Sequence, residues 1–446
     1  MTALAAERRV SSESSDDPIA SPIVGEGVEK RRSRRRHMFA AAAGTLSLGL
    51  AALYLWCPVH RFPGPQRFHG QRWYNPYAAI TPTTTWKKVN LHAHARAWYG
   101  LTNGRGSADD MLRHYQAMGY DAAPASDYQA ITRASTNDSG SLTVYEHGFN
   151  VRKVHFLAIG PRQVDWLDYP LLQGRDEEQH RIDRLRASGG LVIIAHPRLR
   201  GALSDADLKL LAGYTAIEIG SHASRGEDAW NVALDAGRPV WGVANDDTHD
   251  ADSPNESGAY WSMIASPTAD ARGLFAALSA GRAYAVFGHG GQPDIALTSL
   301  AIVGDTLSAS FDGAPARLQL VGPGGRVLAA VSGAHDARWV IPCDAGWVRV
   351  VARTATTRLF LQPLLRSDSG ALPHLEASVA RTATLVRRGL ALMLLLIGVL
   401  ASLGRTAFRR ARDESVRPKL TLRKRGVDRK SKSLLRPDTA RRYRLL

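Results

Sequence analysis

Two histidines, His92 and His94, alternate at the end of the apolar stretch KKVNLHAH. On a β-strand, side chains at i and i+2 share a side, so both imidazoles face one cavity. Similar polar residues end or open a series of other apolar runs. They are Asp127 in YDAAPASD, Glu146 with His147 in SLTVYEHG, His155 in VHFLAIG, His196 in GLVIIAHP, Glu218 in YTAIEIG, and Asp246, Asp247 and His249 in and just after PVWGVANDD. A single histidine of this kind is ordinarily a hydrogen-bonded structural residue. Many imidazoles and carboxylates buried together are costly unless they pair or bind cations. Such a set suits zinc, manganese or iron, and with no cysteine among it there is no thiolate preference. Two metals bridged by a carboxylate would clamp an in-line displacement at phosphorus and acidify a water.

The elements that must position these residues can be read over 86–285. Short β-like runs alternate there with helix-like segments such as SADDMLRHYQAMG, DEEQHRIDRLRASGG and SDADLKLLAG. That alternation predicts a sheet or barrel of βα units, in which functional groups gather at the C-terminal ends of strands. Ser107 and Ser204 are expected N-caps, and Gly119, Gly189 and Gly213 expected helix stops. After about 290 the helical period vanishes, and alternating strands with Gly-rich turns predict a small all-β sandwich over 290–366. Residues 60–85 read as a linker and 367–388 as a juxtamembrane segment.

The net charge of +16 belongs mostly to one end of the 446-residue chain. Residues 405–446 carry 16 Lys/Arg against 4 Asp/Glu, residues 1–37 carry 8 against 6, and the body carries 33 against 31. Two uncharged runs account for the basic ends. Residues 38–59 give 22 positions without a charge, enough to cross a hydrocarbon core of roughly 30 Å at about 1.5 Å per residue. Residues 389–404 give 16, flanked by Arg387, Arg388 and Arg405, which can snorkel. The charges on the far flanks place both basic tails in the cytoplasm and 60–386 outside it; the pair Arg387–Arg388 opposes that orientation weakly. The first run ends in LYLWCPV, bulky where signal cleavage wants small residues, so an uncleaved anchor is expected. Two cysteines, Cys57 and Cys343, are too few for a disulfide scaffold.

The order HxH, then SDY, a lone Glu, a lone His in VHFLAIG, AHP and a final DxH resembles the PHP (polymerase and histidinol phosphatase) superfamily. The resemblance covers about 86–285 and implies a distorted (β/α)7 TIM-like barrel holding two or three metals. With the sandwich and the two membrane helices, the α/β class and architecture follow. The family's ligands fall on His92, His94, Glu146 as the bridging carboxylate, His155, His196, and Asp247 with His249. Two positions depart from the family pattern. Tyr128 stands where the second motif usually has His, and the acid or His that usually follows HxH falls near Tyr99–Gly100. Both losses touch the third metal, so the resemblance implies a dinuclear centre of two divalent ions (Zn, Mn or Fe). One ion would sit on His92, His94, Glu146 and Asp247, the other on Glu146, His155 and His196. His249 is then a spare ligand or a phosphate contact.

Around that centre, Asp247, His249 and Arg198 are the candidate catalytic groups, since Arg198 follows His196-Pro197 and a guanidinium fork suits phosphate. Arg96 could act likewise, Asp127 and Asp246 could orient ligand histidines, and His222 could line the mouth. His147 should point away from Glu146 and be structural. The expected function is a membrane-anchored, envelope-facing, metal-dependent phosphoesterase acting on a small or lipid-linked phosphoester. The alternatives are an amide or carbamate hydrolase on the same site and a reduced, membrane-tethered binding module. Nucleic-acid binding by the basic tail is the weakest, because lipid headgroups explain that tail at lower cost.

Overall fold

The computed structural model describes residues 23–135, 140–253, 255–289 and 291–416, so most of the two basic tails lies outside the described residues. The chain divides into two compact units, Met1–Ala391 and Leu392–Leu446.

Within the first unit, the strands Val144–His147, His155–Ile159, Leu191–Ala195, Ala216–Gly220 and Trp241–Ala244 lie side by side in that order. Two less regular segments close the gap between the first and the last. Residues 90–94 run parallel to the continuation of Trp241–Ala244, through Ala93 opposite Thr248, and parallel to 122–126 on the other side. That second segment reaches Val144–His147 through Tyr128 opposite Glu146. The result is a closed ring of seven extended segments. Its strands are apolar on both sides, as expected where helices cover one face and the ring interior fills the other. Phe156, Ile194, Ile217, Ile219 and Val243 are all fully buried.

Six members of the ring run the same way. His155–Ile159 alone is antiparallel to both neighbours. This reversal positions the site, because the first residue of the reversed strand sits level with the last residues of the others: His155 pairs with Ala195, just before His196. Helices form where the sequence signals them. Ala108–Ala117 opens on a capping box at Ser107, and Asp205–Leu208 on one at Ser204. Gly119, Gly189 and Gly213 take left-handed φ of 75°, 89° and 83° at or near helix ends.

Two expectations about organisation need correction. The strands after 290 lie in two sheets that share one core, but they do not form a unit apart from the strands before them. Ala316–Gly322, Arg326–Ala334, Trp347–Arg353 and Arg358–Leu361 join Ala283–Phe287, Tyr260–Ala265 and Trp86–Val89 in one nine-stranded sheet. Only Ile295–Val303, Thr306–Gly313 and Asp336–Val340 form a separate three-stranded sheet. Residues 60–85 are not a free linker either. Arg72–Tyr74 pairs with Leu364–Ser367, His60–Arg61 pairs with Ser378–Val379, and Tyr77 is fully buried.

Two helices, Ile23–Trp56 and Arg381–Val416, contain the apolar runs. Their segments Arg35–Trp56 and Arg381–Arg409 are long and apolar enough to cross a membrane by length and composition, with mean hydropathies of 1.7 and 2.0. Cys57 is buried and Cys343 exposed, and neither is in a disulfide.

Candidate metal centre

The rim of the ring gathers His92, His94, Glu146, His155, His196, Asp247 and His249 around one buried space. The first six are at most 5% exposed. His92 Nε2 and His94 Nε2 face each other at 3.3 Å. Asp247 Oδ1 lies 3.1 Å from the first and 3.3 Å from the second, and Glu146 Oε2 lies 3.6 and 3.2 Å from them. Two nitrogens held at ~2.0–2.1 Å by one tetrahedral ion sit about 3.4 Å apart. The four atoms therefore have the spacing of a tetrahedral ligand set.

Hydrogen bonding does not account for this arrangement. Neither Glu146 Oε2 nor Asp247 Oδ1 has a hydrogen-bond partner of acceptable geometry, although both are buried. Buried carboxylate oxygens without partners are costly, and a divalent cation among them removes the cost. The other carboxylate oxygen, Glu146 Oε1, receives His155 Nδ1 at 2.5 Å and His196 Nε2 at 3.1 Å. Glu146 thus divides its two oxygens between two groups of imidazoles. By mutual distance, the ligand atoms of His92, His94 and Asp247 form one group and those of His92, Glu146 and His196 another. His92 stands within reach of both. The residues form two overlapping groups of ligand atoms that fit divalent metal.

The second layer fixes which nitrogen is available. His92 Nδ1 lies 3.1 Å from Glu218 Oε1, so Nδ1 carries the proton and the Nε2 lone pair points inward. Glu218 also accepts the His196 backbone N–H at 2.9 Å and the Asn245 side-chain amide at 3.0 Å. Asn245 in turn accepts the Leu91 N–H at 2.8 Å, tying the two histidine-bearing segments together. His249 Nδ1 lies 3.1 Å from the Asp247 carbonyl, which can only accept, so its buried Nε2 holds a free lone pair. The His249 ring stacks on His94 at 4.4 Å, and Tyr128 stacks on the opposite side of His94 at 4.6 Å.

Electrostatics agree with a cation site. Burial opposes charging His92, yet Asp247, Glu218 and Glu146 outweigh it and hold its pKa well above the ordinary value. His94 is raised to about 9 against the same burial by Asp247 and Glu146. Glu146 is held well below the carboxylate range because His155 and His92 overcome its burial. His249 is pushed down to about 4 by burial and by the neighbouring His94, so its imidazole is neutral near pH 7. The same carboxylates that draw protons toward His92 and His94 would draw a cation, so a metal at their Nε2 atoms would compete with protons.

Backbone strain marks the same residues. His196 and Asp247 adopt φ of 26° and 57°, a region unfavourable for side chains other than glycine. The Asp247 N–H donates to the His92 carbonyl at 2.8 Å, which holds this turn against the first histidine segment. Gly148, at φ 146°, leaves room for an imidazole: a Cβ there would stand 2.6 Å from His155 Cδ2.

Other candidates lie elsewhere. Arg198 turns out of the site and is consumed by Asp205 at 2.6 Å, Asp228 at 2.8 Å and the Leu203 carbonyl at 3.1 Å. Its place among the catalytic groups is therefore corrected to an ion pair at the rim. Asp127 and Asp246 touch no ligand histidine side chain. Asp127 accepts the Ala95 N–H and the Thr132 hydroxyl, and Asp246 accepts the N–H groups of Gly258, Ala259 and Tyr260 together with the Tyr115 hydroxyl. The orienting carboxylate is Glu218, whose strand-end position was its only sequence signal. His147 faces away and bonds the Leu167 carbonyl at 2.9 Å. Arg96 and His222 are exposed, and Tyr99, in the loop expected to have lost a ligand, lies wholly in solvent.

No protein-family model and no curated protein matches the chain. Among solved structures, a two-domain protein from Bacteroides vulgatus ATCC 8482, described as containing a predicted PHP-like metal-dependent phosphoesterase, shares 12% identity. The match covers 67% of this chain and 91% of that one, with a TM-score of 0.37. A likeness that remote carries no inference about the chemistry of this chain, which has to come from its own residues.

Proposed function

We propose that the chain is a metal-dependent phosphoesterase of the PHP type, its ring a distorted (β/α)7 barrel and its centre dinuclear. The observation that carries the reading is the division of Glu146, with Oε1 on His155 and His196 and Oε2 beside His92, His94 and Asp247. His92, His94, Glu146, His155, His196 and Asp247 would hold the divalent ions, which would supply Lewis-acid polarisation of a phosphoryl oxygen and a water acidified to near neutral pH. The chain's own groups do the rest. Glu218 keeps the His92 Nδ1 proton in place, and the buried walls exclude bulk water. His249 Nε2, neutral and unpartnered, can accept a proton or contact a phosphate oxygen.

In the same reading both apolar helices span a membrane, with 60–386 outside the cytoplasm, and the substrate is a small or lipid-linked phosphoester. Arg387 and Arg388, which count against that orientation, are both engaged by protein groups. Arg387 donates to Glu177 at 2.9 Å and the Tyr54 carbonyl at 2.7 Å, and Arg388 to the Trp56 carbonyl at 3.2 Å.

The test uses the full chain in detergent with Mn²⁺ or Zn²⁺, offered p-nitrophenyl phosphate, its diester and p-nitrophenyl acetate, beside a His92→Ala/His94→Ala variant. Phosphoester turnover that disappears in the variant is expected. Turnover of carbonyl esters alone would replace this reading with amide or carbamate hydrolysis, and no histidine-dependent turnover would leave a binding module.

A further inference from the structure

A second feature lies beside the ring, on the hairpin Trp347–Arg353 and Arg358–Leu361. Its register sets Arg353 opposite Arg358, Arg358 opposite Phe287, and Phe287 opposite Tyr260. Arg317 stands opposite Arg353 on the other flank. Directly opposed residues in antiparallel strands share a face, so one row across the sheet presents three guanidiniums followed by two aromatic rings. Arg225 adds a fourth cation, its guanidinium carbon 4.9 Å from the centroids of both Tyr260 and Phe287.

Arg225, Arg353, Arg358 and His289 line a cavity of about 300 Å³ with the hairpin turn Thr354–Thr357, and no Asp or Glu is among the described residues lining it. The neighbouring carboxylates are already engaged. Glu227 accepts from Arg358 at 3.1 Å but also from Arg349 at 3.0 Å. Asp294 takes the hydroxyls of Thr354 and Thr356, both at 2.9 Å. Arg225 and Arg353 have no ion pair among the described residues. Exposed arginines commonly stay solvated and unpaired. Here the register instead holds two of them at the base of one hairpin, where like charges destabilise the strand pair. Arg225 is laid on an aromatic floor facing the same space. A bound anion with several acceptor oxygens would relieve this repulsion and suit the guanidinium forks.

One wall of the cavity packs against the ring strand that carries Glu218. Phe287 packs so tightly on Gly220 that a Cβ there would fall 2.2 Å from its ring. Gly220 is bridged to Arg225 and lies two residues beyond Glu218, the partner of His92. We propose that this pocket binds a phosphate group, and that in catalysis it holds the second anionic group of a substrate whose ester is cleaved at the metal centre. The second half of the proposal rests on the phosphoesterase reading, whereas the first does not.

Inorganic phosphate is titrated calorimetrically into the full wild-type chain and into Arg353→Gln and Arg225→Gln, whose metal centre is unaltered, so any difference reports the pocket. A saturable phosphate site weakened at least ten-fold in both variants, with unchanged melting temperatures, is expected. No saturable site, or equal affinity in all three proteins, overturns the proposal. The substrate half is read from kcat/KM for an aryl phosphate with and without a second phosphate on the ring. Arg353→Gln should cut the preference for the bisphosphate about ten-fold, through KM, and leave the monophosphate alone. An unchanged preference overturns the substrate half. Phosphate binding without turnover of either ester overturns the phosphoesterase reading while the pocket still stands.

Discussion

Replacing Glu218 by Gln tests whether the centre is organised for a metal or only for its own hydrogen bonds. Gln has almost the same shape, but all three partners of this carboxylate are donors: His92 Nδ1 at 3.1 Å, the His196 N–H at 2.9 Å and the Asn245 amide at 3.0 Å. Wherever the new NH2 group points, it meets a donor. Against His196 it opposes a backbone N–H that cannot turn. Against His92 it can be tolerated only if the imidazole changes tautomer, which moves the proton onto Nε2, the atom that faces His94 and Asp247. Either outcome forfeits one buried charge-assisted hydrogen bond, ~1.5–3 kcal/mol. At about 1.4 kcal/mol per factor of ten, metal affinity should fall roughly 10–100-fold, the range usual for outer-shell partners. Competition against a fluorescent chelator measures the affinity, and circular dichroism checks that the fold is kept. Unchanged affinity in a folded Glu218→Gln protein would refute the assigned role of this carboxylate.

Three other outcomes are expected. Arg198→Ala should leave kcat within about two-fold, because the guanidinium is spent on Asp205 and Asp228; a larger drop in steady-state assays would return it to the catalytic groups. Gly148→Ala should displace His155 and weaken the second metal about ten-fold or more, since strain of ~1–3 kcal/mol is introduced beside it; metal titration showing two unaltered sites would contradict this. His60 is raised above its ordinary pKa because Asp176 and Asp183 outweigh its burial. A raised histidine contributes stability that is complete below about pH 6.5 and is lost as pH rises through the folded value. The melting temperature of wild type should therefore exceed that of His60→Gln by more at pH 6 than at pH 9, and the reverse order would show the pairing to be unimportant.

What the sequence made legible was local. His92 and His94 alternate in a strand-like run, the serine caps announce their helices, and the strand-end position of Glu146, His196 and Asp247 follows from hydrophobic runs that end there. His155 opens its run rather than closing it, and only the reversed strand explains how it reaches the same rim. Nonlocal facts were not legible. Glu218 sits 126 residues from His92 along the chain, and nothing in its neighbourhood distinguishes it from Asp127 or Asp246 as the orienting acid. The merging of the late strands with Trp86–Val89 is a matter of strand register across the chain, which alternation alone does not specify. Arg198 misled because a guanidinium next to a ligand histidine looks the same in sequence whether it faces inward or pairs with Asp205.

The most direct measurement is the divalent metal content of the purified full chain, by inductively coupled plasma mass spectrometry, beside Glu146→Gln and His92→Ala/His94→Ala. Two tightly bound ions per chain are expected, with at least one lost when Glu146 is replaced and occupancy of the first site lost with the two histidines. Three tightly bound ions per chain, or a content in wild type no higher than in the histidine variant, would contradict a dinuclear centre bridged by Glu146.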